Sequence, residues 1–287
     1  MAEYPRLNKI IGALENGGYA FCPFATPNID SAMALTDDPY DGIVFEMEHN
    51  PWDAIVLRDC LQYMLNRAAI ANSGSIAPSV TPMVRVPPNG NEMAQWHAKQ
   101  ALDLGFYGIV FPHISSVEEA YNAVGACRYP RLPDQPLYEP KGIRGDGANR
   151  PARYWGLPQQ DYYKKADVWP LDPEGEVLVV LMIEDSAGID CLDEMLKTVP
   201  GIGVILIGEG DLSQELGYPR QYDHPVVVDA MDQIVGTCKK HDVPVGHPHI
   251  GLGNIEWAVE KGFRFLMVKP ERTLKGLEKG MELAGRT

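Results

Sequence analysis

The chain has 287 residues, 45% apolar and 22% charged, with 25 Lys plus Arg against 39 Asp plus Glu for a formal net charge of −14. That length suits one α/β barrel of about 250 residues, with a core large enough to need no disulfide or metal staple. The acidity argues against nucleic acid or an anionic membrane surface as partner, and the longest apolar run, 177–183, falls far short of the ~20 residues that span a bilayer.

The first residues, MAEYPR, carry no apolar stretch of the signal-peptide kind. Cys22, Cys60, Cys127, Cys191 and Cys238 are odd in number, widely spaced and without a CxxC pair. They read as unpaired thiols in a reducing compartment, so the expected location is cytoplasmic.

In chain order, β-rich apolar runs lie at 19–24, 43–47, 82–86, 108–111, 177–183, 203–207, 243–246 and 264–268. Helical patterns separate them, among them 53–69, 91–104, 116–126, 226–241 and 253–261, with Asp53 and Asn91 placed as N-caps. Eight such strands alternating with helices predict a (β/α)8 TIM barrel. Their continuous apolar runs suit a parallel sheet buried on both faces. An open doubly wound sheet is the alternative, but no GxGxxG follows the first strand. The chain reads as one domain, 1–287, with loop-rich insertions at 70–81 and 129–176; within the second, 145–165 is partly helical.

Barrel active sites lie at the C-terminal strand ends. There the sequence places Glu46, Glu48 and His49, then Arg85, Glu184 and Asp185, Glu209 and Asp211, His247 and His249, and finally Lys269 and Glu271. Glu184 and Asp211 end neighbouring strands, and two carboxylates converging on one mouth suit a hard divalent cation such as Mg²⁺ or Mn²⁺. The alternatives are a solvated pair of strand-end acids, or Asp211 capping the short turn that follows. His49 has the ordinary pKa of an acid–base catalyst near neutrality, and Glu46 or Glu48 could orient it. Arg85, inside the apolar PMVRVP, needs an anionic partner: a protein carboxylate or, as expected with a metal nearby, a substrate carboxylate held by its planar fork. His247 and His249 could be zinc ligands, although their spacing is expected to send the two rings apart. Lys269 could form a Schiff base.

Taken together, DGIVFEMEHNP, PMVRVP, ALDLGFYGIVFPHISSVEEAYNAVGACRYP with GIRG, VLMIEDSAGIDCLDEM, VPGIGVILIGEGDLSQELG and KGFRFLMV resemble, in order, the motifs of the HpcH/HpaI aldolase family over roughly residues 5–285. The resemblance implies a modified barrel that assembles as a homo-oligomer, trimer or hexamer, with the last helix exchanged between subunits. It implies divalent-metal-dependent cleavage of 4-hydroxy-2-oxo acids to pyruvate and an aldehyde, a class II aldolase reaction. The implied metal carboxylates are Glu184 and Asp211, with Mg²⁺ or Mn²⁺ foremost and Co²⁺ or Zn²⁺ also compatible. The implied catalytic histidine is His49, the carboxylate-binding arginine Arg85, and the backbone beside the small 2-oxo acid that of Gly210, with Glu46 also near the substrate. The chain departs from the family pattern in four places. Glu46 stands where Asp is frequent, Met182 where many members have Gln, and Glu209 in place of Pro, adding a carboxylate near the site. Strand 8 ends in Lys269-Pro270-Glu271. The Glu46 and Met182 departures favour, as a second reading, oxaloacetate decarboxylation or another enolate-based carbon–carbon bond formation on the same site. A non-catalytic oxoacid-binding barrel is a third.

Overall fold

The structure, a computed structural model, describes residues 5–87, 90–93, 95–270 and 274–286. Its strands are β1 (Ala20–Phe21), β2 (Phe24–Ala25), β3 (Gly42–Glu46), β4 (Thr81–Arg85), β5 (Gly108–Phe111), β6 (Val168–Trp169), β7 (Val177–Ile183), β8 (Val204–Ile207), β9 (Val245–Ile250) and β10 (Phe265–Val268). All pair in parallel, in the order β1-β10-β9-β8-β7-β5-β4-β3-β2, with β6 off this path beside β7.

The result is a curled parallel sheet, TIM-like but not the unbroken ring of eight strands that the sequence pattern predicts. The expected first strand, 19–24, is split. Its first half bonds β10 and its second half β3. Pro23, which has no N–H to donate, lies between the halves, and the two pieces do not pair with each other. The other expected strands appear within two residues of their predicted starts, and β9 runs on to Ile250.

Strand parity divides the apolar residues into two cores. Val44, Met83, Val110, Leu178, Val180, Met182, Leu206 and Phe265 fill the inside of the curl. Ile43, Phe45, Val84, Ile109, Val179, Leu181 and Ile205 face the surrounding helices. The seven buried residues of β7 serve both cores alternately, which is why that strand reads as continuously apolar. The helix Lys9–Glu15 plugs the N-terminal end with Ile10, Ile11 and Leu14. Asn8 caps it, and buried Glu176 accepts from the Leu7 and Asn8 amides at 3.1 and 2.9 Å.

Asp53 caps its helix as expected, through Ile55 N and Val56 N. The helical pattern 53–69 is broken into Ala54–Tyr63 and Arg67–Ser73. The second piece extends into 70–81, so that segment is not all loop. Asn91 falls in a 3-10 turn, Gly90–Glu92, and the helix begins only at Gln95. Within 129–176 lie two helices, Asn149–Trp155 and Gln159–Lys165, in the region expected to be partly helical. The last helix, Lys275–Leu283, packs in this single chain against its own Ile255–Lys261 helix. Arg286 after it pairs with Asp41 at 2.8 Å. All five cysteines are free. No helix among the described residues is long and apolar enough to cross a membrane.

Candidate metal and active site

Parallel pairing puts Glu46 of β3 in register with Arg85 of β4. Glu46 Oε2 accepts from Arg85 Nε at 2.6 Å and from Arg85 Nη2. Its Oε1 accepts from the amides of Glu48 and His49 at 2.7 and 3.1 Å. Glu46 therefore fixes the turn after β3 and the arginine beside it, without orienting the His49 ring. Arg85 Nη1 lies 2.7 Å from Glu48 Oε2 and 3.7 Å from Met182 Sδ, and its Cζ stands 4.6 Å above the Phe24 ring. The anionic partner that Arg85 needs is supplied by two protein carboxylates.

Glu48 continues the chain of contacts. Its Oε1 is 3.3 Å from His113 Nε2. Burial opposes its ionisation, but the His113 hydrogen bond and the Arg85 charge outweigh burial and hold the carboxyl below its ordinary range. His113 follows β5 and was not singled out from the sequence. The strand-end rule that flags the other residues applies to it equally, because PHI directly follows the run 108–111. Its backbone N–H donates to Glu184 Oε2 at 2.7 Å, and its Nδ1 is 3.7 Å from the same oxygen. The Glu48 hydrogen bond is the largest influence on the imidazole; partial burial opposes it, Glu184 adds to it, and the pKa rises to about 9.

Glu184, at the end of β7, is 3% exposed. Burial, opposed by His113 and reinforced by Glu48 and Asp211, pushes its carboxyl up to about 7. Asp211 sits in the first turn of the helix Glu209–Glu215. One ligand atom each from His113, Glu184 and Asp211 lies within 4.8 Å of the others. The mouth thus gathers Glu46, Glu48, Glu184 and Asp211 around Arg85 and the His113 imidazole. Carboxylates crowded in this way, with Glu184 buried among them, favour a further positive charge, which a divalent cation supplies. A Cβ built at Gly210 would meet nothing within 4 Å, so its backbone is open.

The other strand-end candidates lie elsewhere. The His49 side chain is 67% exposed, its Nε2 3.7 Å from Glu48 Oε2. Asp185 caps the helix Ser186–Thr198 through Gly188 N. Glu209 does not add its carboxylate to the Glu184–Asp211 group. It turns to β9, where Oε2 is 3.1 Å from His247 Nε2 and Oε1 bonds His249 Nδ1. The expectation that the two histidines diverge is corrected: i and i+2 on a strand share a face, and both meet Glu209. Burial would raise the Glu209 carboxyl, but the two imidazoles hold it down at about 2. Lys269 lines an open cleft of about 940 Å³ with Glu209, Tyr222, His249 and Trp257. Glu271 lies outside the described residues.

A sequence model of the HpcH/HpaI aldolase/citrate lyase family matches residues 20–268. The chain belongs to that family. Membership makes it an enzyme of the class II aldolase and lyase type, in a family that depends on divalent metal. A 5-keto-4-deoxy-D-glucarate aldolase of Escherichia fergusonii is 31% identical over 225 residues, 78% of this chain and 75% of that protein. A pyruvate aldolase of Rhizobium etli is 31% identical over 222 residues, covering 77% and 74%. Among solved structures, an HpcH/HpaI aldolase/citrate lyase family protein of Burkholderia cenocepacia superposes with a TM-score of 0.75 at 26% identity, covering 97% of this chain and 98% of that one.

Proposed function

We propose that the protein is a divalent-metal-dependent carbon–carbon lyase that cleaves a 4-hydroxy-2-oxo acid to pyruvate, or a close 2-oxo acid, and an aldehyde. The convergence of the buried Glu184 carboxylate and the exposed Asp211 carboxylate in one acid-rich mouth carries this reading. The two relatives named as aldolases support the reaction type. Glu184 and Asp211 would hold the cation, which supplies Lewis-acid stabilisation for the negative charge that develops at the 2-oxo group during cleavage.

The chain's own residues do the rest. Arg85, set by Glu46 and Glu48, places a fixed positive charge on the inner face for the substrate's carboxylate and 2-oxo oxygens. The open backbone at Gly210 leaves room for the oxoacid. As the C3–C4 bond breaks, its electron pair goes to the oxoacid half and the 4-hydroxyl loses its proton. His49, at the exposed rim, takes that proton directly or through one water.

Oxaloacetate decarboxylation is the second reading. It needs no base for a 4-hydroxyl, and the His49 ring, which Glu46 does not orient, is consistent with that. For assembly we propose a homo-oligomer, trimer or hexamer, in which the last helix makes its contacts across subunits; its mass in solution tests this.

Pyruvate release from a 4-hydroxy-2-oxo acid, followed by coupled reduction to lactate with Mn²⁺ or Mg²⁺ present, tests the main reading. Release that disappears in Glu184→Ala and Asp211→Ala supports it. Turnover of oxaloacetate alone moves the assignment to decarboxylation.

A further inference from the structure

We propose that His113 is a third protein ligand of the metal ion, oriented by Glu48, and that its nitrogen tunes the site towards Mn²⁺ or Co²⁺ over Mg²⁺. The inference rests on the reading of Glu184 and Asp211 as metal carboxylates. It adds a residue and a metal preference that those two oxygen ligands do not supply.

Three observations carry it. The first is convergence: an imidazole nitrogen of His113 and carboxylate oxygens of Glu184 and Asp211 all lie within 4.8 Å of one another.

The second is the division of labour between the ring nitrogens. Nε2 faces Glu48 Oε1 at 3.3 Å, while Nδ1 faces the Glu184 carboxylate at 3.7 Å. Glu48 is itself set by Arg85, 2.7 Å away. A histidine that donates one ring N–H to a fixed carboxylate and turns the other nitrogen to a group of acids has the arrangement of a metal-ligating imidazole with its supporting carboxylate. Glu48 is thus a positioning residue.

The third is the backbone. His113 has φ +53°, a left-handed conformation that non-glycine residues seldom adopt. Hydrogen bonds on both sides impose it. Gly90 N donates to His113 O at 3.0 Å, His113 N to Glu184 Oε2 at 2.7 Å, and Ile114 N to Met182 O at 3.1 Å. Such conformations persist where the surroundings over-determine them, and they gather at functional sites. In this case the turn swings the imidazole to the acids at the end of β7.

The metal preference follows from the donor set. Mg²⁺ takes oxygen ligands in a near-octahedral shell and keeps several waters. Imidazole nitrogen gains more from the later divalent ions, so an added histidine raises affinity for Mn²⁺ and more so for Co²⁺.

The test uses the full-length protein loaded with Mn²⁺, Co²⁺ or Mg²⁺. Variants are His113→Gly, His113→Ala, Glu48→Gln and Glu184→Ala. His113→Gly removes the ring while relieving the left-handed backbone, so folding is preserved. Pulsed electron paramagnetic resonance of the Mn²⁺ form should show histidine nitrogen coupling in the wild type that changes on ¹⁵N-histidine labelling and disappears in His113→Gly. Calorimetric titration should show Mn²⁺ and Co²⁺ binding weakened about 10- to 100-fold in His113→Gly and less in Glu48→Gln, with Mg²⁺ binding changed under about threefold. A wild-type spectrum without histidine nitrogen, or equal Mn²⁺ affinity with and without His113, overturns the inference. If the wild type and Glu184→Ala both fail to bind any of the three ions, the metal reading falls and this inference with it.

Discussion

Gly208 and Glu184 approach each other as only a glycine permits: a Cβ at position 208 would lie 2.5 Å from the Glu184 carboxyl carbon. The end of β8 therefore holds the Glu184 carboxylate in place by having no side chain.

The first prediction follows from that contact. Gly208→Ala should displace the Glu184 carboxylate and weaken Mn²⁺ binding by about one order of magnitude or more, with a destabilisation of about 1–3 kcal/mol from overpacking. Calorimetric titration and urea denaturation measure the two effects. Unchanged Mn²⁺ affinity would show that Glu184 has freedom the packing denies it.

A second prediction concerns pH. In the metal-free protein His113 is raised to about 9 and Glu184 to about 7. Both groups bind protons more tightly folded than unfolded, so both make stability fall as pH rises. The Glu184 contribution falls between its unfolded value, near 4.5, and about 7; that of His113 falls between about 6.5 and 9. Thermal melts without metal should therefore show Tm declining from pH 6.5 to 9, more shallowly in His113→Gly. Saturating Mn²⁺ should raise Tm most at the alkaline end, where it does not compete with protons. A metal-free Tm that rises over this range would contradict the electrostatics of the mouth.

A third prediction separates Glu209 from the Glu184–Asp211 group. Its carboxylate is buried and bonded to His247 and His249, and His247 packs edge-on against Trp257 and Phe263. Glu209→Ala should leave the buried His247 short of a partner and cost about 1–3 kcal/mol. It should leave Mn²⁺ affinity within about twofold, within the range of an indirect effect. Because the folded Glu209 carboxyl is held at about 2, its stabilising contribution is present above about 4.5 and is lost as pH falls towards 2. Urea titrations at pH 7 and pH 3 test this; a loss equal at both pH values would show that the imidazole contacts are not the cause.

The strands were legible because residues buried on both faces must be apolar throughout, as in Val177–Ile183. The break at Pro23 was not, since a proline at a strand edge is compatible with either a continuous or a split ladder. Glu184 and Asp211 could be picked out because strand ends mark the mouth of a parallel barrel-like sheet. Side-chain direction could not: Glu46 holds Arg85 because their strands align them in register, and nothing in either motif fixes that register. Glu209 and Asp211 stand two positions apart, yet one serves β9 and the other the Glu184 group. The placement of His113 depends on a left-handed turn that its own residue type does not favour.

Deuterium exchange into the methyl group of pyruvate, followed by NMR with Mn²⁺ or Mg²⁺, with EDTA, and in Glu184→Ala, reads enolate formation at the Glu184–Asp211 site without an aldehyde partner. Metal-stabilised enolate formation predicts exchange that requires metal and is lost both with EDTA and in the variant, because proton removal from pyruvate is the enolate half of the aldol reaction. Exchange that persists with EDTA or in Glu184→Ala, or no exchange in the metal-loaded wild type, would contradict it.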